Sequence, residues 1–459
     1  MLTYTFKDQN MPMYEYLYQC IKNDIIHQKL KPHEKLPSKR AFAKNQNVSL
    51  ITIENAYHQL LIEGFIYSQE RKGYFVSDLH YPHYIKNHPS LITKSKQPHY
   101  RIDLKSNSIS PTHFPFSTWS KIARQVLSSQ SPELLSRSPN QGCESLRRAI
   151  CSHLFAFCGM NVSPEQVIIG AGSEYLYNLV IQLLGREQIY GLENPGHHSI
   201  SQVYYINQVK YHYIPLDQQG IDMYALKESQ ARIVHISPAH HFPTGITMPI
   251  QRRLELLQWA EESHGYIIED DYDSEFRMRG KPLSPLFQID QNEHVIYMNT
   301  FSKTLAPSFR ISYMILPPHL VHIFQQKLGF YTCSVSSFEQ MILAEFIQKH
   351  HFEKHINRMR NNYKSIRDEF LLQLSQSPLF PQITITEENS GLHFLLHFSL
   401  PYSDELILKR AQDLGINMSM LSQFYDHSFD SHTIVINYSG LSIEDIPLAV
   451  QLLCQLLII

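Results

Sequence analysis

From Ile102 onward the chain repeats one motif that restricts its fold more than any other feature. Short apolar runs alternate with stretches of helical periodicity: Gln166–Ile169, Gln188–Tyr190, Ile233–Ile236, Tyr266–Ile268, Val295–Met298 and Ile311–Leu316. Strands separated by helical patterns predict a mainly parallel sheet with helices on both faces. Ligands of such sheets collect just beyond the carboxyl ends of the strands. The residues that follow each run are therefore the ones to read for chemistry.

After the first run, Gly170-Ala-Gly172-Ser173-Glu174 forms a tight turn opening a helix, whose free N–H groups and dipole suit a phosphate. After the fourth stand Glu269, Asp270, Asp271 and Tyr272; a solvated acidic turn is the plain alternative, but Tyr-Ile-Ile before it places the acids at a strand end. After the fifth comes Thr300-Phe-Ser302-Lys303-Thr304, with Arg310 seven positions on. A lysine among hydroxyls and a guanidinium suits a Schiff base to an aldehyde cofactor carrying a phosphate. An acid at one strand end and a lysine at the next is the pairing that pyridoxal 5'-phosphate (PLP) needs, because the acid keeps the pyridine nitrogen protonated. Asp270 is the expected nitrogen partner and Tyr272 the expected donor to the ring hydroxyl.

The first eighty residues read differently. Tyr14, Leu17, Ile21 and Ile25 recur at helical spacing, Ser38 and Ser49 stand as N-caps of two further helices, and Gly64 ends the third. Two short strands follow, Phe65–Ser68 and Gly73–Val76, joined through Arg71 and Lys72. Three helices and a hairpin with a basic tip make a winged helix-turn-helix. Ser38, Lys39 and Arg40 are expected on phosphates, Ser49 at the start of the reading helix, Thr52 and Asn55 at base edges, and Arg71 and Lys72 in or beside the minor groove. Charge agrees: residues 1–105 hold fifteen Lys/Arg against nine Asp/Glu, whereas the remainder is acidic.

The predicted organisation is a DNA-binding domain over 1–78, a proline-bearing linker over 79–101, and a large domain over 102–459, whose last part, about 350–459, is a small α+β subdomain. No run of eighteen apolar residues exists and the six cysteines form no CxxC pair. A cytoplasmic protein with no membrane partner and no structural metal is expected. The histidine clusters at 240–241 and 350–355 are the candidate metal ligands; the second, among lysines, reads as a solvated helix face.

Leu36-Pro37-Ser38-Lys39-Arg40 and the Val48-Ser49…Ala56-Tyr57…Leu60…Glu63-Gly64 frame resemble the GntR family of bacterial repressors. Ile268-Glu-Asp-Asp-Tyr-Asp-Ser-Glu-Phe276, Thr300-Phe-Ser-Lys303 and Arg310-Ile-Ser-Tyr resemble fold-type I aminotransferases, and the fusion resembles the MocR/GabR-like branch of GntR regulators. The resemblance implies PLP joined to Lys303, Asp270 on the pyridinium and Tyr272 on the ring hydroxyl. It places Gly172, Ser173, Glu174, Thr300, Ser302 and Arg310 around the phosphate and His197 near the ring. It also implies a homodimer on a double-stranded DNA operator.

The chain departs from that pattern in three stretches. Leu50 stands where the GntR family commonly has arginine after Val-Ser. Val435 or Gly440, depending on register, stands where an arginine binds a substrate carboxylate, and no Lys or Arg follows Arg410. His197 and Ser199 replace a tyrosine and a second carboxylate-binding arginine of GabR-like chains. A pocket that keeps its cofactor site and loses its amino-acid site implies sensing of PLP itself, as in control of vitamin B6 genes, with no catalytic residue. The alternatives are a regulator answering to an amine bound as an external aldimine, and a working aminotransferase.

Overall fold

The computed structural model describes residues 2–5, 11–79, 100–106, 113–129, 131–278, 283–389 and 391–458. The chain divides into two units, residues 1–96 and 97–459. The predicted linker, 79–101, lies outside the described residues apart from Leu79, Tyr100 and Arg101.

Helical spacing builds the first unit. Helix α1 (Met13–Ile26) buries Leu17, Ile21 and Ile25, as spaced, while Tyr14 in its first turn stays 40% exposed. Helices α2 (Lys39–Gln46) and α3 (Leu50–Ile62) each begin at a serine whose hydroxyl accepts a backbone N–H, Ser38 from Ala41 at 3.2 Å and Ser49 from Thr52 at 3.1 Å. Gly64 follows α3 at φ +75, a conformation only glycine adopts without strain. Strands β1 (Ile66–Gln69) and β2 (Gly73–Val76) pair antiparallel as the wing. Phe42, Ile53, Ala56, Tyr57 and Leu60 close the core, and the buried Tyr57 hydroxyl donates to the Pro37 carbonyl at 3.0 Å.

The second unit begins with β3 (Ile102–Asp103). The strands β4 (Val167–Gly170), β5 (Ile189–Asn194), β6 (Lys210–Asp217), β7 (Gly220–Ile221), β8 (Ile233–Ile236), β9 (Tyr266–Asp270), β10 (Val295–Thr300) and β11 (Ser312–Ile315) form one sheet. Its order is β4-β11-β10-β9-β8-β5-β6-β7. Strands β10, β9, β8, β5 and β6 run parallel; β11 is antiparallel to both its neighbours. Alternate residues serve opposite faces: Ile168, Ile268, Ile296 and Met314 pack with the helix Ser173–Leu184, and Val167, Tyr297, Tyr313 and Ile315 pack on the other side. Burial of both faces is why these strands read as unbroken apolar runs. Strand β6 did not, because it lies near the sheet edge and mixes exposed with half-buried residues.

The C-terminal part is α+β. Strands β12 (Ile383–Thr386), β13 (His393–Phe398), β15 (Ser419–Met420) and β16 (Thr433–Asn437) form an antiparallel sheet ordered β12-β13-β16-β15. The remaining strand, β14 (Ile416–Asn417), pairs in parallel with β3 and ties this part to the start of the unit. No helix among the described residues is long and apolar enough to cross a membrane.

The caps are the local features most open to test. Ser49→Ala removes the hydroxyl acceptor of the Thr52 N–H and leaves it only the Ser49 carbonyl at 3.1 Å, so urea unfolding of the first unit should shift by about 1 kcal/mol.

Candidate functional site

Lys303 lies in the loop after β10, at the carboxyl end of the sheet, and lines a cleft of about 230 Å³. Its Nζ sits 5.9 Å from the centre of the Tyr272 ring. Burial lowers the amine to about 8, against the opposing pull of Asp273 and Asp270, which favour its charge. A lysine so placed is about one-tenth neutral at pH 7, far more than a free lysine, and the neutral amine is the nucleophile. Of its flanking hydroxyls only Ser302 reaches the cleft; Thr304 is buried and donates to the Phe301 carbonyl at 3.3 Å.

Asp270 ends β9 directly opposite Met298 of β10, which sets the acid beside the strand that leads to Lys303. Its carboxylate accepts the Tyr177 hydroxyl at 2.5 Å, and the His235 ring lies 3.6 Å away, itself bonded to the Tyr204 hydroxyl at 3.1 Å. Tyr177 is held protonated by burial and then by the Asp270 charge, so its hydroxyl keeps the proton it donates. Sequence reading missed this support. The signals were a histidine inside the apolar run Ile233–Ile236 and a tyrosine one turn into the helix from Ser173. Strand alternation sorts the neighbouring acids. Glu269 turns away and caps the backbone of Leu286 and Phe287, and Asp271 accepts the Tyr297 hydroxyl at 2.7 Å. Asp273 returns to the cleft, 3.0 Å from His240, and Tyr272 donates to the His240 carbonyl at 3.0 Å.

The helix Ser173–Leu184 presents its N-terminus to the same cleft. Gly172 precedes it at φ +93, and a Cβ there would fall 2.3 Å from the Arg310 guanidinium. The glycine is thus required twice, by its conformation and by the arginine pressed against it. Arg310 donates to Glu174 at 2.6 Å, both half exposed. Thr300 accepts the Ser312 hydroxyl at 2.8 Å and the Ser302 N–H at 3.1 Å. Helix N-terminus, arginine and hydroxyls together suit a phosphate. A buried amine, a strand-end acid and this cradle fit PLP.

Residues 101–453 match the family described as aminotransferase class I and II, and residues 13–76 match the bacterial regulatory proteins of the gntR family. The probable rhizopine catabolism regulatory protein MocR of Rhizobium meliloti is 30% identical over 95% of this chain and 92% of its own. This chain belongs to the MocR-type transcription regulators of the GntR family. An HTH-type regulator of Bacillus subtilis, YdeL, is 36% identical over 95% of both chains. The pyridoxine biosynthesis regulator PdxR of Corynebacterium glutamicum is 27% identical over 90% of this chain and 88% of its own. Among solved structures, the kynurenine aminotransferase of Pyrococcus horikoshii superposes with a TM-score of 0.69 at 25% identity, covering 79% of this chain and 91% of that one. The large domain is therefore a fold-type I domain, the kind that binds PLP through a lysine Schiff base.

The positions expected to depart from the family pattern fall in two parts of the cleft. Val435 of β16 shares its strand face with Asn437, a cleft residue, and neither carries charge. On the other wall His197 packs at 5.8 Å from Phe242, and its Nδ1 meets the Ser199 hydroxyl at 2.7 Å. Its ring keeps contact with solvent at the mouth, while burial and then the Lys303 charge lower its basicity. Beneath it Glu193 is raised to about 8 by burial, and His241, 3.5 Å away, is lowered to about 3. Among the described residues no group of three or more His, Cys, Asp or Glu could hold a metal. The predicted solvated face at 350–355 is corrected at His355, which is buried and bonds the Thr304 carbonyl at 2.8 Å.

The DNA-facing candidates are surface residues of the first unit with two refinements. Ser38 and Ser49 spend their hydroxyl acceptors on their own helices, and Lys39 is drawn to Glu54 at 3.4 Å and over the Tyr74 ring. Arg40, Asn55, Arg71 and Lys72 are exposed; Thr52 is half-buried.

Two outcomes follow from the cleft. The rate of PLP capture should rise with pH around a midpoint near 8, and Asp273→Asn should move that midpoint lower, because it removes a charge that holds the lysine protonated. Spectroscopic titration of PLP onto apo-protein reads both. Gly172→Ala should weaken PLP binding about tenfold or more by displacing Arg310, while Lys303 still reacts at saturating PLP.

Proposed function

We propose that this chain is a transcription regulator that senses PLP itself and adjusts genes of vitamin B6 synthesis or salvage. The observation that carries this reading is the charge of the cleft. Among the described residues lining it, Lys303 and Arg310 are the only lysine and arginine. Lys303 meets the aldehyde; Arg310, with Gly172, Ser173, Glu174, Thr300 and Ser302, meets the phosphate. Among these described residues no guanidinium is left for the carboxylate of an amino acid, which needs a matched and oriented cation to be held. The name of the relative PdxR, a pyridoxine biosynthesis regulator, supports the same direction.

When bound, PLP supplies an aldehyde that captures amines and a ring that draws electrons. The chain's own residues bind and orient. Asp270, which accepts the Tyr177 hydroxyl and has the His235 ring 3.6 Å away, would hold a proton on the ring nitrogen; Tyr272 would turn its hydroxyl from the His240 carbonyl to the ring oxygen; and His197 would line the space beside the ring. Lys303 then serves as a receptor rather than a catalyst. The loop carrying His197 is bonded to the C-terminal part, Gly196 N–H to the Phe424 carbonyl at 3.0 Å and Asn194 to Asp426 at 2.7 Å. A ligand filling the cleft bears on that loop, and any preference for one arrangement shifts the population that binds DNA. In this reading the protein is a cytoplasmic homodimer, and its winged helices address two half-sites of an operator.

A second reading has one observation in its favour. Asp273 is a buried carboxylate on the cleft wall, suited to an amine effector that carries a further cationic or hydroxyl group instead of a carboxylate. One titration separates these readings. Apo-protein is titrated with PLP, with and without amino acids or amines, while binding to the intergenic DNA beside its own gene is followed. PLP alone should change DNA affinity about fivefold or more. A change that appears only with an added amine supports the second reading, and rapid half-transamination with common amino acids would sink both in favour of an enzyme.

A further inference from the structure

The exposed face of α3 has a composition that decides what it can read. Ile53, Ala56, Tyr57 and Leu60 are buried, which turns Ile51, Asn55 and His58 outward, with Leu50 at the helix start. Leu50 is 39% exposed and Ile51 67%. Two large aliphatic side chains are thus left in water on a helix flanked by the cations of α2 and of the wing. The helix itself, Leu50 to Ile62, contains no lysine or arginine, and its one acid, Glu54, is paired with Lys39 at 3.4 Å.

We propose that α3 reads A·T base pairs, with Leu50 and Ile51 against thymine methyl groups and Asn55 on adenine. Guanine is read from the major groove chiefly by arginine or lysine, and cytosine by a free carboxylate. Neither is available on α3. Thymine alone offers a methyl group there, and adenine offers the donor and acceptor that an asparagine side chain matches. Ile51 and Asn55 lie one turn apart, about 6 Å along the helix, close to the span of two base-pair steps. Phosphate attraction is delegated to Arg40, Lys44, Arg71 and Lys72, which carry no sequence information. The inference rests on the first unit binding DNA and is independent of the effector.

The test uses the full chain loaded with PLP and a duplex enriched from a random pool. That duplex is resynthesised with deoxyuridine for thymidine, one position at a time, which deletes only the methyl group. One or two positions in each half-site should lose about fourfold in affinity per methyl removed. In Leu50→Ala and Ile51→Ala the corresponding thymine and uracil duplexes should bind alike, whereas Arg40→Ala should weaken both equally. Both aliphatic side chains are exposed, and the thymine–uracil comparison within the unmodified protein needs no variant to fold. Equal affinity of that protein for thymine and uracil duplexes, or guanine enriched at the α3-contacted positions, overturns the proposal. Failure to enrich any duplex would overturn DNA binding by the unit as well.

Discussion

Removal of one amine from water is the constraint on which the large domain depends. Desolvation of Lys303 outweighs two nearby carboxylates and brings the amine to about 8. That balance exists only because β9 and β10 are adjacent and parallel, so that their carboxyl ends open on one cleft. Register completes the arrangement: Asp270 stands opposite Met298, five residues before the lysine. A slip of one residue would turn Asp270 away and put Glu269 or Asp271 in its place. Where they stand, burial raises Glu269 to about 7 and Asp271 to about 6. Tertiary bonds from Leu286, Phe287 and Tyr297 fix those two carboxyls where they are.

Much of this was legible because parallel strands buried on both faces leave a plain trace, and because function follows directly after each strand. Lys303, Asp270, Gly172 and Arg310 all sit on such loops and converge in one cleft. What the reading missed was support that joins residues distant in the chain. Tyr177 and Asp270 are 93 positions apart, and Tyr204 and His235 are 31. His235 is hidden in an apolar strand, where its neighbours give no hint that its ring faces a carboxylate. His355 failed for a related reason: lysines on either side suggested solvent, but the helix His351–Gln376 buries one face, and that residue falls on it. Local charge does not reveal which side of a helix is inside.

The first unit shows the opposite economy. Its serines are absorbed by its own helices, its Lys39 by Glu54, and its Tyr57 hydroxyl by the turn at Pro37. A core of thirteen buried apolar residues is small for an independently stable unit, and each such local bond counts for more where the core is thin. The cost is that fewer polar groups remain for DNA. Leu50, Ile51, Asn55, His58 and the loose cations of α2 and the wing are among what is left, and in the proposed reading that remainder sets the kind of sequence the unit can tell apart.

The two departures in the large domain, on β16 and on the His197 loop, lie on opposite walls of one cleft, and they bear on each other. A carboxylate-binding arginine on β16 would tie the C-terminal part to a substrate and make closure depend on it. With Val435 and Asn437 there instead, the bonds between that part and the opposite wall are made by the protein alone, through Gly196, Asn194 and the backbone of Gln423 to Asp426. Phe424 stands behind them on the cleft wall, at right angles to Phe242 and 5.1 Å from it. A loop held this way needs no substrate to be ordered, and it already contacts whatever occupies the space beside Lys303. In the reading proposed above, an occupant with no carboxylate to anchor would be registered through this loop.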